Sequence, residues 1–345
     1  MTELEQKLLD TIQDAFPLEE RPYRVLADLF NAQVGSVSEQ QVFDAVEGLR
    51  KSGVIRRIGG VYDSKVLGFI SRLCAGKVPT VATGAANDCA LEKFAAAVNE
   101  IPAITHNYVR SHEYNVWFTV IAQNEEEIQK IVEAVCSKSK LHDVHILSAT
   151  KKFKINTVMG AVAPTKTEDE KGVILSGAQC AKSKDLEKKV LTDCDRIRIR
   201  VACTDIPHSL TPFKDWGIAV DELRGDVAQG RMRRFGAILR HQEAGFAFNA
   251  MVCFAETVDC RQWSVDRNSV NPAGAILAQM PFISHCYERP AFEDFSYTLY
   301  AMMHAQSAEE LDRNIKEAAE SIGNPDFVVL HSVRELKKTS FRFFA

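Results

Sequence analysis

Two runs of this sequence carry one pattern, and they restrict the fold more than any other feature. Ile104-Thr-His-Asn-Tyr-Val-Arg110 and Ile283-Ser-His-Cys-Tyr-Glu-Arg289 each set His, Tyr and Arg at alternate positions, at an offset of 179 residues. Upstream, Arg56-Arg-Ile-Gly59 and Arg233-Arg-Phe-Gly236 open a second repeated stretch, closing on Gly68-Phe69 and Gly245-Phe246, at an offset of 177. Matching motifs in one order at nearly the same spacing mark an internal duplication. Successive strand side chains point to opposite faces, so His106, Tyr108 and Arg110 share a face, as do His285, Tyr287 and Arg289. A proton donor, a phenol and a fixed cation in line are unusual for a face buried as plain core.

Each copy opens on a helical region. In the first, Leu4, Leu8 and Ile12 mark one helix face and Tyr23 to Phe30 a second helix. Ser36-Val-Ser-Glu39 reads as a capping box before a helix carrying Val42, Val46 and Leu49. A hairpin from Val54 to Val61, turning at Gly59-Gly60, completes a winged helix-turn-helix. In the second copy Pro207, Pro212 and Gly217 interrupt the pattern and leave a degenerate version. Strand and helix then alternate in the order βαββαβ of a ferredoxin-like sandwich, two helices on one face of a four-stranded antiparallel sheet. The first copy's strands are expected at Gly68 to Ala75, Ile104 to Arg110, Asn115 to Ala122 and His145 to Lys151, with helices at Leu91 to Asn99 and Glu125 to Cys136. The second copy's strands are expected near Gly245 to Phe254, Ile283 to Arg289, Ser296 to His304 and Phe327 to Val333. The fold class is thus α+β, a tandem of winged helix-turn-helix plus ferredoxin-like units. The divisions fall at 1–63, 64–158, a linker at 159–184, 185–240 for the degenerate winged helix, and 241–345.

Composition excludes several classes. With 46% hydrophobic and 26% charged residues the chain is an ordinary globular one. No apolar run approaches the roughly 18 residues of a membrane span, so a cytoplasmic protein without membrane contact is expected. Nine cysteines lie scattered without a C-x-x-C, signalling neither a zinc knuckle nor an iron–sulfur cage. The net charge of −4 argues against a generalised nucleic-acid surface. The would-be recognition helices carry Glu39, Asp44 and Glu47 against Arg50 and Lys51, and Asp221, Glu222 and Asp226 against Arg224. Such helices repel a phosphate backbone, and DNA is not an expected partner.

Arg engages carboxylates in pairs, Tyr stacks or donates, and His passes a proton or ligates a metal near neutral pH. The doubled face therefore suits an anionic, partly aromatic ligand. For a single copy a purely structural role competes with this reading; recurrence weakens it. Further polar groups suited to the same cavity are Arg240, His241, Asn249 and Tyr297 in the second copy, and His112, Tyr114 and Asn115 in the first. No dinucleotide loop, nucleophile elbow or H-E-x-x-H helix is present. Cys286 adjoins His285 but points to the opposite face by parity.

A winged helix followed by a ferredoxin-like domain resembles the leucine-responsive regulator (AsnC) family. Within it, the R-R-[IF]-G…G-F stretch and the [TS]-H-x-Y-x-R run resemble the siroheme decarboxylases of the alternative haem pathway. The first copy, with Thr105-His-Asn-Tyr-Val-Arg-Ser-His-Glu-Tyr-Asn-Val-Trp-Phe118, looks like the A-type subunit. The second, with Arg234-Phe-Gly-Ala-Ile-Leu-Arg-His241 and Ser284-His-Cys-Tyr-Glu-Arg-Pro290, looks like the B-type. The likeness covers nearly the whole chain apart from the linker and implies a fused A–B pseudo-dimer, with further homodimerisation open.

It also implies siroheme as substrate and loss of the acetate carboxylates on rings C and D, giving 12,18-didecarboxysiroheme and carbon dioxide. No separate cofactor is implied, since the substrate carries the iron, and no protein-held metal is expected. In that frame His285, with His106 as its counterpart, is the acid, and Tyr287 and Arg289 complete the catalytic set. Arg240, His241, Arg234, Arg233, Asn249 and Tyr297 bind substrate in the second copy, and Arg110, Tyr108, Arg57 and Arg56 in the first. Either His241 or His285 is alternatively an axial ligand to the siroheme iron. Arg240-His241 aligns with Asp63-Ser64, so the main pocket is expected in the second half. The competing readings are a non-catalytic haem or tetrapyrrole sensor and an AsnC-type DNA-binding transcriptional regulator.

Overall fold

The computed structural model describes residues 1–31, 36–79, 88–141, 143–155, 191–240, 245–255 and 272–344. The linker expected at 159–184 lies outside them, as does His241. The elements of the first copy are α1 (Glu3–Asp14), α2 (Pro22–Asn31), α3 (Glu39–Lys51), β1 (Ile55–Tyr62), β2 (Ile70–Gly76), α4 (Asp88–Asn99), β3 (Ile104–Arg110), β4 (Val116–Ala122), α5 (Glu125–Ser139), β5 (Val144–Leu147) and β6 (Lys151–Ile155). The second copy supplies α6 (Asp193–Ala202), α7 (Pro212–Trp216), α8 (Val220–Ala228), β7 (Met232–Leu239), β8 (Phe248–Ala255), α9 (Pro272–Gln279), β9 (Ile283–Glu288), β10 (Tyr297–Ala305), α10 (Ala308–Ser321) and β11 (Phe327–Lys338). The chain divides into two compact units. Met1–Gly68, Val158–Ala244 and Arg342–Ala345 form one, Phe69–Thr157 and Gly245–Phe341 the other. No helix of the described residues is long and apolar enough to cross a membrane.

In the first unit, Thr2 with Glu5 caps α1 and Thr192 with Asp195 caps its counterpart α6, each satisfying backbone donors that a helix start leaves bare. The box before α3 is Ser38 with Gln41, two residues beyond the Ser36 and Glu39 expected. In the second copy α7 is five residues long, and neither it nor α8 has a side-chain cap, as the interrupted pattern foretold.

The expected hairpin is not formed. Gly59 and Gly60 lie inside the single strand β1, which pairs antiparallel with β7 of the other copy, Gly59 opposite Gly236. The physical reason is close approach rather than turning. A Cβ on Gly59 would lie 2.3 Å from the carbonyl oxygen of Thr204 and 2.9 Å from that of Ala202, at the end of α6; one on Gly236 would lie 2.7 and 2.8 Å from those of Ile12 and Gln13, in α1. Ile206 N donates to Ile58 O at 2.9 Å and Phe16 N to Phe235 O at 2.8 Å, so each copy's strand carries the other copy's first helix. Gly59→Ala is accordingly expected to lose about 1–3 kcal/mol by overpacking against backbone. Gly48→Ala, inside α3 with nothing within 4 Å of the added methyl, should gain about 0.5–1 kcal/mol. Urea midpoints that move the same way for both would refute this account.

In the second unit each copy forms the expected strand order, but the two sheets fuse. Among the described residues one nine-stranded sheet runs β5-β2-β4-β3-β11-β8-β10-β9-β6. The strand expected at His145 to Lys151 is two: β5 stays in its own copy, and β6 pairs with β9 of the second. Reciprocally β11, longer than expected, pairs with β8 at its start and with β3 at its end. Each His-Tyr-Arg strand is thus flanked by its own copy on one side and by the other copy's extension on the other. The helices cover one side of the sheet over two apolar cores, around Phe94 and Phe118 in one copy and Phe254, Leu277 and Ile315 in the other. On the opposite side lies a cluster without helical residues, including Tyr114, Trp117, Phe295 and Tyr300, with Phe292 and Tyr297 against it.

Candidate active site

A bulge prepares each repeated strand. The β3–β4 register shifts between Ile104 and His106, and the β9–β10 register between Ile283 and His285. Ile104 and Ile283 can therefore join the helix-side cores while the residues two positions on, His106 and His285, do not. Cys286 returns to the helix side, its thiol pushed up to about 12 by burial, which bears out the parity reading and removes it as a nucleophile.

The bulged residues themselves touch the histidines. Thr105 Oγ1 lies 2.8 Å from His106 Nδ1, and Ser284 Oγ 2.9 Å from His285 Nδ1. In the second copy the chain continues, because Ser284 Oγ is also 2.9 Å from Nε2 of the buried His304. The registers align His304 with Ile121, which has no polar side-chain atom. Nδ1 of His285 is thus engaged by the Ser284 hydroxyl. The only sequence signal for Ser284 and His304 is one extra histidine at a strand end, with no local hint of its partner.

Arg110 and Arg289 are buried, at 5% and 8% exposure, and each reaches across to the other copy. Arg110 Nη1 donates to Leu330 O at 3.0 Å and Ser332 Oγ at 3.1 Å, and its Nη2 lies 3.8 Å from Sδ of Met302, the residue opposite His285. Arg289 Nη1 donates to Leu147 O at 2.7 Å. Their guanidiniums lie over Tyr108 and Tyr287 at 5.3 and 5.1 Å, Arg289 also over Tyr300 at 5.8 Å. Burial lowers both pKa values, that of Arg110 to about 10, so both stay charged near neutrality. Neither has a carboxylate partner among the described residues, and the Nε of each is buried without a hydrogen bond.

The remaining candidates separate. Asn249 accepts from Ser332 Oγ at 2.6 Å and so stands behind Arg110 of the first copy. Tyr297 packs edge-on against Phe295, and Tyr287 lies nearly parallel to His285 with centroids 6.3 Å apart. Asn115 pairs with both backbone groups of Val78 at 2.8 Å, a structural clasp, and His112 packs on Tyr114 and Phe295. Arg56, Arg57, Arg233, Arg234 and Arg240 belong to the other unit. There Arg57 donates to Thr204 O at 3.5 Å and Gly60 O at 3.4 Å, and Arg234 to Gln13 O and to Ala237 O at 3.4 Å. Burial lowers the pKa of both, that of Arg234 to about 10. Arg233 and Arg240 are exposed.

Residues 67–154 and 243–337 match the AsnC-like ligand binding domain, and residues 5–56 match the siroheme decarboxylase NirDL-like HTH domain. A siroheme decarboxylase alpha subunit of Desulfovibrio desulfuricans is 41% identical over 155 residues, 45% of this chain and 82% of that protein. The chain belongs to the siroheme decarboxylase family. A siroheme decarboxylase of Hydrogenobacter thermophilus is 29% identical across 98% of this chain and 94% of its own length, as a fused decarboxylase requires. The crystal structure of the siroheme decarboxylase NirDL superposes with a TM-score of 0.66 at 25% identity, covering 99% of this chain and 95% of that one. The chain is therefore a decarboxylating enzyme, and a subunit relative aligns with less than half of it.

Proposed function

We propose that this enzyme removes two acetate carboxylates from siroheme, giving 12,18-didecarboxysiroheme and two molecules of carbon dioxide, with His285 as the acid. The observation that carries the assignment is the His285–Ser284–His304 relay, set in an aromatic face beside the reach of a buried, carboxylate-free Arg110. Protonation of a pyrrole ring next to the acetate makes the ring an electron sink. The C–C bond then breaks, its electron pair enters the ring as an exocyclic methylene, and carbon dioxide leaves. A proton taken up at the methylene gives the methyl group while the ring proton departs, so one proton is consumed per carboxylate. The His285 imidazole supplies the proton, and Ser284 and His304 hold the ring.

A buried cation normally has a counter-charge. Substrate carboxylates meet that need at Arg110 and Arg289, and Tyr287, Tyr108, Tyr297 and Asn249 add aromatic surface and hydrogen bonds. Within the other unit, Arg240 and Arg233 are exposed, and the carbonyl contacts of Arg57 and Arg234 give them a structural role there. Two of the acidic residues that set the helices against DNA, Glu47 and Asp226, are turned to internal pairing with Arg50, Arg198 and Arg231.

The test is anaerobic incubation of the purified chain with siroheme, followed by mass spectrometry. Loss of two carboxyl groups per macrocycle is expected. Tight binding without change of mass would overturn the assignment in favour of a tetrapyrrole sensor.

A further inference from the structure

At one end of the aromatic face, Asp143 and His145 at β5 meet Glu293 from the turn between β9 and β10. Asp143 Oδ1 is 2.8 Å and Glu293 Oε2 3.6 Å from one atom, His145 Nε2. The hydroxyl of Tyr114 lies 3.3 Å from that nitrogen and 3.5 Å from Glu293 Oε2, and the three ligand atoms all fall within 4.8 Å of one another. The imidazole is fixed in place, 4.5 Å from the Phe292 ring and edge-on to Tyr114.

Counting protons shows what the arrangement lacks. Nε2 carries at most one hydrogen, and the Tyr114 hydroxyl is directed to Asp294 Oδ1 at 2.8 Å. One imidazole proton thus faces two partly exposed carboxylates. The nearby cation Lys77 is engaged by Glu113 at 2.9 Å and Asp294 at 3.2 Å. Among the described residues Asp143 and Glu293 have no ion-pair partner besides His145. A metal ion in place of the proton satisfies all three groups at once. Zinc bonds of about 2.0–2.1 Å in a tetrahedron set ligands roughly 3.3 Å apart, and the separations of 2.8 and 3.6 Å bracket that value.

We propose that Asp143, His145 and Glu293 form a site for a first-row divalent cation, Zn²⁺ foremost, with the fourth position taken by water beside the Tyr114 hydroxyl. The donor set, one imidazole and two carboxylates, is of the kind zinc accepts. The site links β5 of the first copy to the β9–β10 turn of the second and so pins the two halves of the sheet at the rim of the aromatic face. No sequence motif announces it, because its ligands come from segments about 150 residues apart.

The test uses the chelator-treated full chain and Zn²⁺ or Co²⁺ alone, read by isothermal titration and by the visible absorption of bound Co²⁺. One equivalent is expected to bind without a sulfur-to-cobalt charge-transfer band. His145→Ala should abolish that equivalent. Glu293→Gln, an exposed change that leaves the fold alone, should weaken it by at least the roughly 10- to 100-fold that follows loss of an outer-shell partner. Unchanged stoichiometry and affinity in both variants, a cobalt–thiolate spectrum, or no binding by the parent chain would overturn the proposal.

Discussion

Replacing His285 by alanine is expected to lower siroheme turnover by about 10²- to 10⁴-fold, the usual contribution of a positioned acid. That corresponds to about 3–5.5 kcal/mol of transition-state stabilisation. The ring is half-buried rather than core, so the urea midpoint should move little. His106→Ala is expected to cost less than about tenfold. Its Nδ1 also meets a bulge hydroxyl, but the position that supplies His304 in the second copy is Ile121, so no second imidazole stands behind it. Single-turnover assays scored by mass spectrometry separate the cases. Equal losses in the two variants would show both copies working alike, and a stall after one carboxyl group in His106→Ala would give each copy one of the two steps. Either result would sink the asymmetric assignment. Full turnover by His285→Ala would remove it from the acid role.

Period-two alternation made the His-Tyr-Arg face legible, because it depends only on residues in one strand: β3 runs from Ile104 to Arg110 as expected, and Cys286 falls on the other side. The features missed all depend on atoms far away in sequence. A Gly-Gly pair between β-branched residues looks like a turn; that Gly59 instead admits the carbonyls of Ala202 and Thr204 is a fact about residues more than 140 positions on. The extra length of β11 is imposed by β3, which offers it a second edge. Ser284 looks like a spacer until the bulge turns its hydroxyl between two imidazoles. The chemistry of the repeated arginines alone suggests ligand clamps. Their bonds to Leu330 and Leu147 give them a second task, joining the copies, that only the fused sheet reveals.

Asp226→Ala should produce the largest loss of stability, about 3–5 kcal/mol, the cost of breaking a buried charge network from one side. Asp226 is 1% exposed. Its Oδ1 receives Arg198 Nη2 at 3.0 Å and Arg231 Nη1 at 3.4 Å, and its Oδ2 receives Arg198 Nε at 3.1 Å and the Tyr62 hydroxyl at 2.8 Å. One carboxylate thereby joins α6, α8 and the start of β7 to the end of β1 in the other copy. Without it, the buried guanidinium of Arg231 and the largely buried one of Arg198 share Asp195 as their remaining common partner, and the Tyr62 hydroxyl loses its acceptor inside the protein. Glu222→Ala provides the contrast. Its carboxylate is half-exposed and 3.5 Å from Arg198, an arrangement worth about 0–1 kcal/mol. Urea midpoints at constant slope measure both, and a loss below about 1 kcal/mol for Asp226→Ala would refute the network. The sequence offers Asp226 as one of three acids, with Asp221 and Glu222, on one helix. Its geometry explains why a helix in that place can be acidic: the charge faces inward and holds the copies together, so a motif built for gripping a duplex serves here to clasp a duplicated chain.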